Sequence, residues 1–399
     1  MITIPDTDTP VVVLKLYHYL ALGVVRSLGR MGIPVYGIEH HRRSPGINSR
    51  YCRENFFWDI DGSSPEATTE FLLRVGRKIG RRSLLIHTAD ESAQLVADYA
   101  GVLKERYIFP LKTPELVRAL VSKKEMFFLA KKHGIPTAET LFPNCRDDVF
   151  RFLDTVTFPV MLKGIDGRLL EERTGRKMAI VRTREELIAM YDQMEDAEHP
   201  NLMLQEYIPG GDDTVWMFNG YFNGDSDCLF GITGKKIRQA PVYMGYTSLG
   251  ICLHNETVDT MTRDFMKRLG YRGILDIGYR YDARDGRYKV LDINPRIGAT
   301  FRLFVGDDGM DVARAEYLDL TGQKVPASNM RQGRKWVVFD RDVISSVRYY
   351  RDGKLSIGEW IRSFRGVEET AYYASDDPIP FFLMIWGLVL KIFRMNGSR

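Results

Sequence analysis

The chain has 399 residues, 44% of them hydrophobic and 27% charged, with a formal net charge of +4. That length exceeds one ordinary domain, so two or three units with ample apolar material for their cores are expected. Basic and acidic side chains, 56 against 52, are too evenly matched to argue for a nucleic-acid partner, and no basic run interleaves with a binding motif.

Cys52, Cys145, Cys228 and Cys252 are scattered without CxxC spacing, which argues against a disulfide framework or a zinc site. Reduced thiols in a cytoplasmic protein are the expectation. The N-terminus, MITIPDTDTP, is acidic and broken by prolines, unlike a signal peptide.

The first unit, 1–120, reads as alternating strands and helices. VVVLKL (11–16), IPVYGI (33–38) and SLLIHT (83–88) are short apolar runs suited to buried strands. LALGVVRSLGRMG (20–32) and ADESAQLVADYAGVL have helical spacing between and after them. Such alternation predicts a parallel sheet covered on both faces. Gly23 and Gly29 form no GxGxxG fingerprint, so a dinucleotide site is not expected.

A second unit, 121–325, opens at SKKEMFFLAKKHGIP. Ser122 is a natural N-cap with Glu125 completing a capping box, and Gly134 and Pro136 stop the helix. FPVMLKG (158–164) is an apolar strand closed by Lys163, which suits a phosphate contact, although a strand-end lysine is more often a snorkelling surface residue. GRLLEERTGRKMAIV (167–181) carries Arg176 and Lys177 in a basic loop that can reach a phosphate or simply be solvated. LMLQEYIPGGDDTVW (202–216) runs from a strand into a Gly-Gly turn. Gln205, Glu206, Tyr207 and Ile208 can offer backbone groups to an adenine edge, and Asp213 can meet a ribose or the substrate. GKKIRQAPVYMG (234–245) places Lys235, Lys236 and Arg238 just before a proline.

RGILDIGYRYDARDGRYKVLDINPR contains a strong hairpin signal at DARDG. With a three-residue loop at Arg284–Gly286, Asp276 faces Asn294 and Gly278 faces Asp292. Side chains alternate along a strand, so Asp292 and Asn294 share one face. Directly opposed β-carbons lie within about 5 Å. Asp276, Asp292 and Asn294 can therefore offer oxygens to one magnesium ion, which favours a few carboxylates plus substrate phosphates. Read alone, the same hairpin also fits aspartates that merely face solvent.

In this order the pieces resemble the ATP-grasp superfamily of carboxylate–amine ligases over roughly residues 120 to 325, with LDINPR the most specific element. The preceding unit resembles the Rossmann-like domain that comes before an ATP-grasp core. The pattern including VVRSLGRMGIPVYGI and SRYC looks closest to D-aspartate-ligase-like members. The resemblance implies an α/β ATP-grasp fold with a C-terminal helical extension, and ATP and Mg²⁺ as cofactors. It also implies small-molecule carboxylate and amine substrates joined through an acyl phosphate.

By position, Lys163 and either Lys177 or Arg176 would hold phosphates, Glu206 and Ile208 would sit in the adenine hinge, and Asp292 and Asn294 would bind magnesium. Arg296 and Arg238 are the candidate catalytic cations. One departure is plain: where the family has an acid in the penultimate strand, this chain has Gly278, and Asp276 on the same face is the expected replacement. That departure also motivates two alternatives, an inactive ATP-binding scaffold and a kinase-like enzyme. No Ser/His/Asp or Cys/His signature asks for a covalent nucleophile, and His40–His41 reads as a loop pair.

The third unit, 326–399, is aromatic and basic, with two helices expected around Asp352–Gly353. It ends in IPFFLMIWGLVLKIF, about a dozen apolar residues against the roughly 20 needed to span a bilayer. This tail reads either as a buried core helix or as an interfacial one seated by Trp386, Lys391 and Arg394. The second reading gives a peripheral membrane contact through 379–394, at the inner face of the membrane.

Overall fold

The computed structural model describes residues 2–396 apart from 155, 197 and 244, with side chains described as far as 390. A five-stranded parallel sheet forms the N-terminal unit, in the order Cys52–Phe56, Val35–Ile38, Val11–Leu14, Ser83–His87, Tyr107–Ile108. The central strand Val11–Leu14 is wholly buried because helices cover both faces, which is why it reads as a continuous apolar run. Connections leave it toward both edges, so its C-terminal end and that of Ser83–His87 border the crevice where open α/β sheets bind ligands.

Helix Tyr19–Gly29 has ten buried residues. It packs in one apolar cluster that joins Val11, Val13 and Val35 of this sheet to Met217, Tyr221 and Phe230 of the next. That shared core fixes the first unit to the second. The helix expected over ADESAQLVADYAGVL is two pieces, Asp90–Asp98 and Ala100–Leu103, parted at Tyr99.

Helix Lys123–Lys132 starts where expected, with Ser122 Oγ accepting from the Glu125 N–H at 3.3 Å. The reciprocal half of the capping box is missing for a physical reason. The Ser122 N–H already closes the preceding helix, Pro114–Val121, on Arg118 O at 2.9 Å.

A small antiparallel sheet follows, in the order Thr140–Leu141, Leu202–Glu206, Val160–Gly164, Met178–Val181. Beyond it lies a seven-stranded sheet: Arg287–Asn294, Gly273–Asp282, Val215–Phe222, Cys228–Ala240, Tyr246–Cys252, Lys335–Val337, Val367–Thr370. The C-terminal stretch is thus more than helical, because its strands 335–337 and 367–370 complete this sheet. Helices Phe339–Arg351 and Ile357–Ser363 flank the Asp352–Gly353 turn.

The tail forms helix Ile379–Asn396, and it is not core. Phe382 and Trp386 are 62% and 55% exposed. The Lys391 and Arg394 side chains lie outside the described residues.

Candidate functional site

The Arg287–Asn294 strand pairs with Gly273–Asp282 so that Asp276 faces Asn294 and Gly278 faces Asp292, the register expected from sequence. The route to it differs. The loop has four residues between Asp282 and Arg287, and a bulge between Gly278 and Tyr279 restores the frame one residue later. A bulge of this kind turns the following side chains to the other face, and here it keeps Asp292 and Asn294 beside Asp276.

On the neighbouring strand Asn219 lies opposite Asp276, so Asn219, Asp276 and Asn294 form a row across three strands. Asp276 accepts from Asn219 Nδ2 at 3.4 Å and from Asn294 Nδ2 at 3.2 Å. The same Asn294 amide donates to Asp292 Oδ2 at 3.2 Å. One NH₂ group bridges two carboxylates, the polarity a cation there would have. Burial, then the nearby Asp292 charge, pushes the Asp276 carboxyl up to about 6. Asn219 Oδ1 is buried without a hydrogen-bond partner. Paired acids short of positive charge, with a spare buried oxygen behind them, fit a divalent metal. A Cβ on Gly298 would fall 2.2 Å from Asp276 Cγ, so only glycine lets the chain close over this carboxylate.

Arg296 borders the row. Its Nη2 donates to Asn294 Oδ1 at 3.1 Å, and its Nε binds Asp90 of the first unit at 2.8 Å. Lys236, whose Nζ donates to Gln239 Oε1 and Gly245 O, faces Asp292 and Asp276 from the adjoining strand. Burial pulls its ammonium below the usual lysine range, and the acids oppose that shift.

A narrow cleft between the small sheet and the hairpin is lined by Lys123, Lys163, Met203, Gln205 and Leu291 among others. Burial, with the Lys123 charge adding to it, lowers Lys163 to about 8. Lys123, which the sequence reading did not single out, donates to Gly164 O at 3.0 Å and is depressed by burial. Its only sequence signal is its place at the start of the helix beneath the cleft. Lys177 also bears on Lys123 electrostatically and pairs with Glu171 at 3.3 Å. Arg176 is exposed.

The hinge residues divide by role. Gln205 and Glu206 end the inner strand, and the Glu206 and Tyr207 N–H groups are taken by Glu139 O and Pro159 O. Glu206's carboxylate binds Lys289 at 2.8 Å and Arg284 at 2.9 Å, tying the small sheet to the hairpin. Tyr207 lies under Arg280, whose Nη2 holds Gly210 O. Ile208 is buried. Asp213 is exposed, while Asp212 turns inward to Gln239 and Tyr349.

Arg238 is not brought to this cluster. Strand Cys228–Ala240 bulges between Lys236 and Arg238, and the extra residue sends Arg238 to the face opposite Lys236. There its guanidinium makes a buried two-point pair with Asp342, both contacts at 2.9 Å, and donates to Ser363 Oγ. A catalytic role for Arg238 does not follow from this position.

A second, roomier cleft of about 130 Å³ opens at the C-terminal ends of the parallel strands, lined by Lys15, Tyr17, Glu39, His40, Trp58 and Asp61 among others. Lys15 pairs with Asp61 at 2.8 Å and Glu91 at 3.6 Å. Asp90, adjacent to Glu91, holds Arg296, so charged contacts run from this cleft toward the Asn294 end of the hairpin row. His18 and His87 beside this path are both pushed down to about 3, chiefly by burial, and stay neutral at physiological pH. Period-based sequence reading overlooked them because His18 follows an apolar strand, His87 ends one, and neither carries a motif.

No family model matches the chain. It is 27% identical over 243 residues to D-aspartate ligase of Enterococcus faecium, a match covering 59% of this chain and 58% of that protein. Among solved structures, N5-carboxyaminoimidazole synthetase of Staphylococcus aureus with ADP superimposes with a TM-score of 0.63, at 13% identity over 84% of this chain and 83% of the other. The biotin carboxylase domain of Hydrogenobacter thermophilus 2-oxoglutarate carboxylase, with MgADP, ADP and bicarbonate, gives 0.61 at 16% identity over 83% and 74%. The chain spans little more than half the length of the D-aspartate ligase it matches. The likeness read from residues 120–325 thus extends through the surrounding architecture: the chain has the α/β ATP-grasp fold and is similar to carboxylate–amine ligases that share it.

Proposed function

We propose that this chain is an ADP-forming ligase that joins a carboxylate to an amine through an acyl phosphate, using ATP and Mg²⁺. The observation that carries the reading is the Asn219–Asp276–Asn294 row with Asp292 beside it, set between a lysine-lined cleft and Arg296. Asp276, Asp292 and Asn294 would hold magnesium, which would supply charge neutralisation for phosphoryl transfer.

The chain's own residues do the rest by position and charge. Lys163, Lys123 and Lys177 attract the phosphates, and the buried Ile208 segment presents backbone to the adenine edge. Arg296 holds the transferred phosphoryl group, fixed in place by Asp90. In the first step a substrate carboxylate oxygen bonds the γ-phosphorus, the bond to the β-phosphate oxygen breaks, and ADP leaves. In the second the amine attacks the acyl carbon, the acyl–oxygen bond breaks, and phosphate leaves with the electron pair while the amine gives up a proton. The cleft at Lys15, Glu39 and Asp61 is where an amino-acid-like or peptide-like substrate docks, since it offers both a cation and carboxylates. Free thiols at Cys52, Cys145, Cys228 and Cys252 and the need for ATP support a cytoplasmic site of action.

ADP release measured against paired panels of carboxylates and amines tests the reading. ADP formation that needs both partners, and that is lost in Asp292→Asn without a change in thermal midpoint, is the expected result. Turnover with a carboxylate alone makes the protein a kinase-like enzyme. ATP binding without ADP release from any pair identifies an inactive binder, the alternative that Gly278 motivates, and overturns the proposal.

A further inference from the structure

The tail helix is apolar almost throughout, yet beyond Pro380, which is buried, and Phe381, which packs on Tyr373, about half of its described surface is uncovered. At 3.6 residues per turn, the exposed residues Ile379, Phe382, Ile385, Trp386 and Leu388 spread over about half of the helix circumference. Helices with such faces are buried in a core or a bilayer, and the structure excludes the core. Among the described residues no helix is long and apolar enough to cross a membrane.

The root of this helix is firmly held. Asp377 is buried and accepts from Arg26 Nε at 2.9 Å, Ser49 Oγ at 2.7 Å and the Arg50 N–H at 3.0 Å. Asp376 pairs with Arg30 at 2.8 Å and accepts from Tyr51 OH at 2.7 Å. The helix therefore leaves the body at a defined place instead of fraying from it.

Those same bonds bring a cationic loop to the helix root. Residues 40–53, HHRRSPGINSRYCR, contain four arginines and no acid, and Arg42, Arg43, Arg50 and Arg53 are all exposed. The tail sequence from 379 onward likewise contains Lys391, Arg394 and Arg399 and no acid. An apolar helix rooted beside an arginine loop matches a bilayer whose surface is anionic.

We propose that helix 379–396 and the arginine loop 42–53 together dock the protein on an anionic lipid surface, the helix lying in the interface with Phe382 and Trp386 inserted. This places the ATP-dependent chemistry beside the membrane, and it stands independently of which substrates are joined.

Co-sedimentation of the full chain with phosphatidylglycerol/phosphatidylcholine vesicles, and with phosphatidylcholine alone, tests the proposal. The expected result is pelleting with the anionic vesicles that is several-fold stronger than with neutral ones and falls as salt rises. Phe382→Ser with Trp386→Ser should cut that binding at least tenfold. Arg42→Glu with Arg43→Glu should weaken it and flatten its salt dependence. Both double variants should keep the parent thermal midpoint. A full chain that stays in the supernatant with anionic vesicles overturns the proposal, as does undiminished binding by the serine variant. So does a concentration-dependent dimer that the serine variant abolishes while no vesicle binding occurs, because the helix would then cover a second copy.

Discussion

Gly278 lies directly opposite Asp292 on the paired strand, and a Cβ added at 278 would sit 2.5 Å from Asp292 Oδ1. The Asp292 carboxylate occupies space that any other residue at 278 would claim. The position that departs from the family pattern is therefore filled, by the acid of the neighbouring strand leaning over a glycine.

This contact makes Gly278→Ala a test of how Asp292 acts. The methyl group displaces the carboxylate end, which is exposed and free to rotate away, so the thermal midpoint should move by little. The magnesium concentration for half-maximal ADP formation should rise several-fold. Gly278→Glu restores an acid at this position but forces the same displacement, so it should not exceed the parent activity. A magnesium titration of both variants decides. An Ala variant identical to the parent would mean that Asp292 does not need its present place.

Asp276 carries a pH signature. Its carboxyl is raised to about 6 from 3.8, so between those values the folded chain holds a proton that the unfolded chain has released. Stability from this group is accordingly lost as pH rises from about 4 to 6, and the cost is fully present above 6. Asp276→Asn removes it. In the presence of a chelator the variant should be more stable than the parent at pH 7, by an amount of the order of 2–3 kcal/mol. It should show no gain below pH 4. The buried Asn219 Oδ1 is available to accept from the new amide. Thermal melts across pH 3.5–8 check this, and an equal shift at every pH would assign the effect to packing.

Arg238 and Asp342 form a pair whose side chains are 5% and 0% exposed. Ser248 Oγ and Trp360 Nε1 also bond this carboxylate, so the pair clamps the C-terminal helices to the large sheet. Arg238→Met leaves a buried charge unpaired and should cost about 3–5 kcal/mol of stability. Arg238→Met with Asp342→Leu should recover much of that loss. At a temperature where each variant is folded, the Michaelis constant for ATP should match the parent. A selective loss of turnover with stability intact would return Arg238 to the chemistry.

What the sequence revealed and what it hid follow from range. The hairpin register was legible because DARDG is a local turn signal and strand alternation has a fixed period of two. Arg238 was named from its position before a proline, and the bulge that turns it away from Lys236 leaves no mark in composition. Asn219 and Lys123 escaped notice because they reach the site only through pairing with residues 57 and 41 positions away. The tail was ambiguous for another reason: an apolar dozen reads alike whether a core or a bilayer covers it, and exposure in the fold argues only against the core.

Lys163 supplies the most direct test of the nucleotide cleft. Burial and the Lys123 charge lower its ammonium to about 8 from 10.5, so the folded chain has released a proton that the unfolded chain still holds between those values. Stability from this group is depressed below pH 8 and recovers as pH rises toward 10.5. Lys163→Met should therefore raise the thermal midpoint at pH 7 and change it little near pH 11. ATP binding runs the other way, because the phosphates need the charged form. The dissociation constant for ATP should rise about tenfold per pH unit above 8 in the parent, and should be weaker but level across the same range in Lys163→Met. Lys123→Met removes the like charge beside Lys163, so the break should move to higher pH while remaining visible. Calorimetric titration of ATP at fixed free magnesium from pH 7 to 9.5 measures all three. An unchanged break in Lys163→Met would assign the titration to another group and take Lys163 out of the phosphate site.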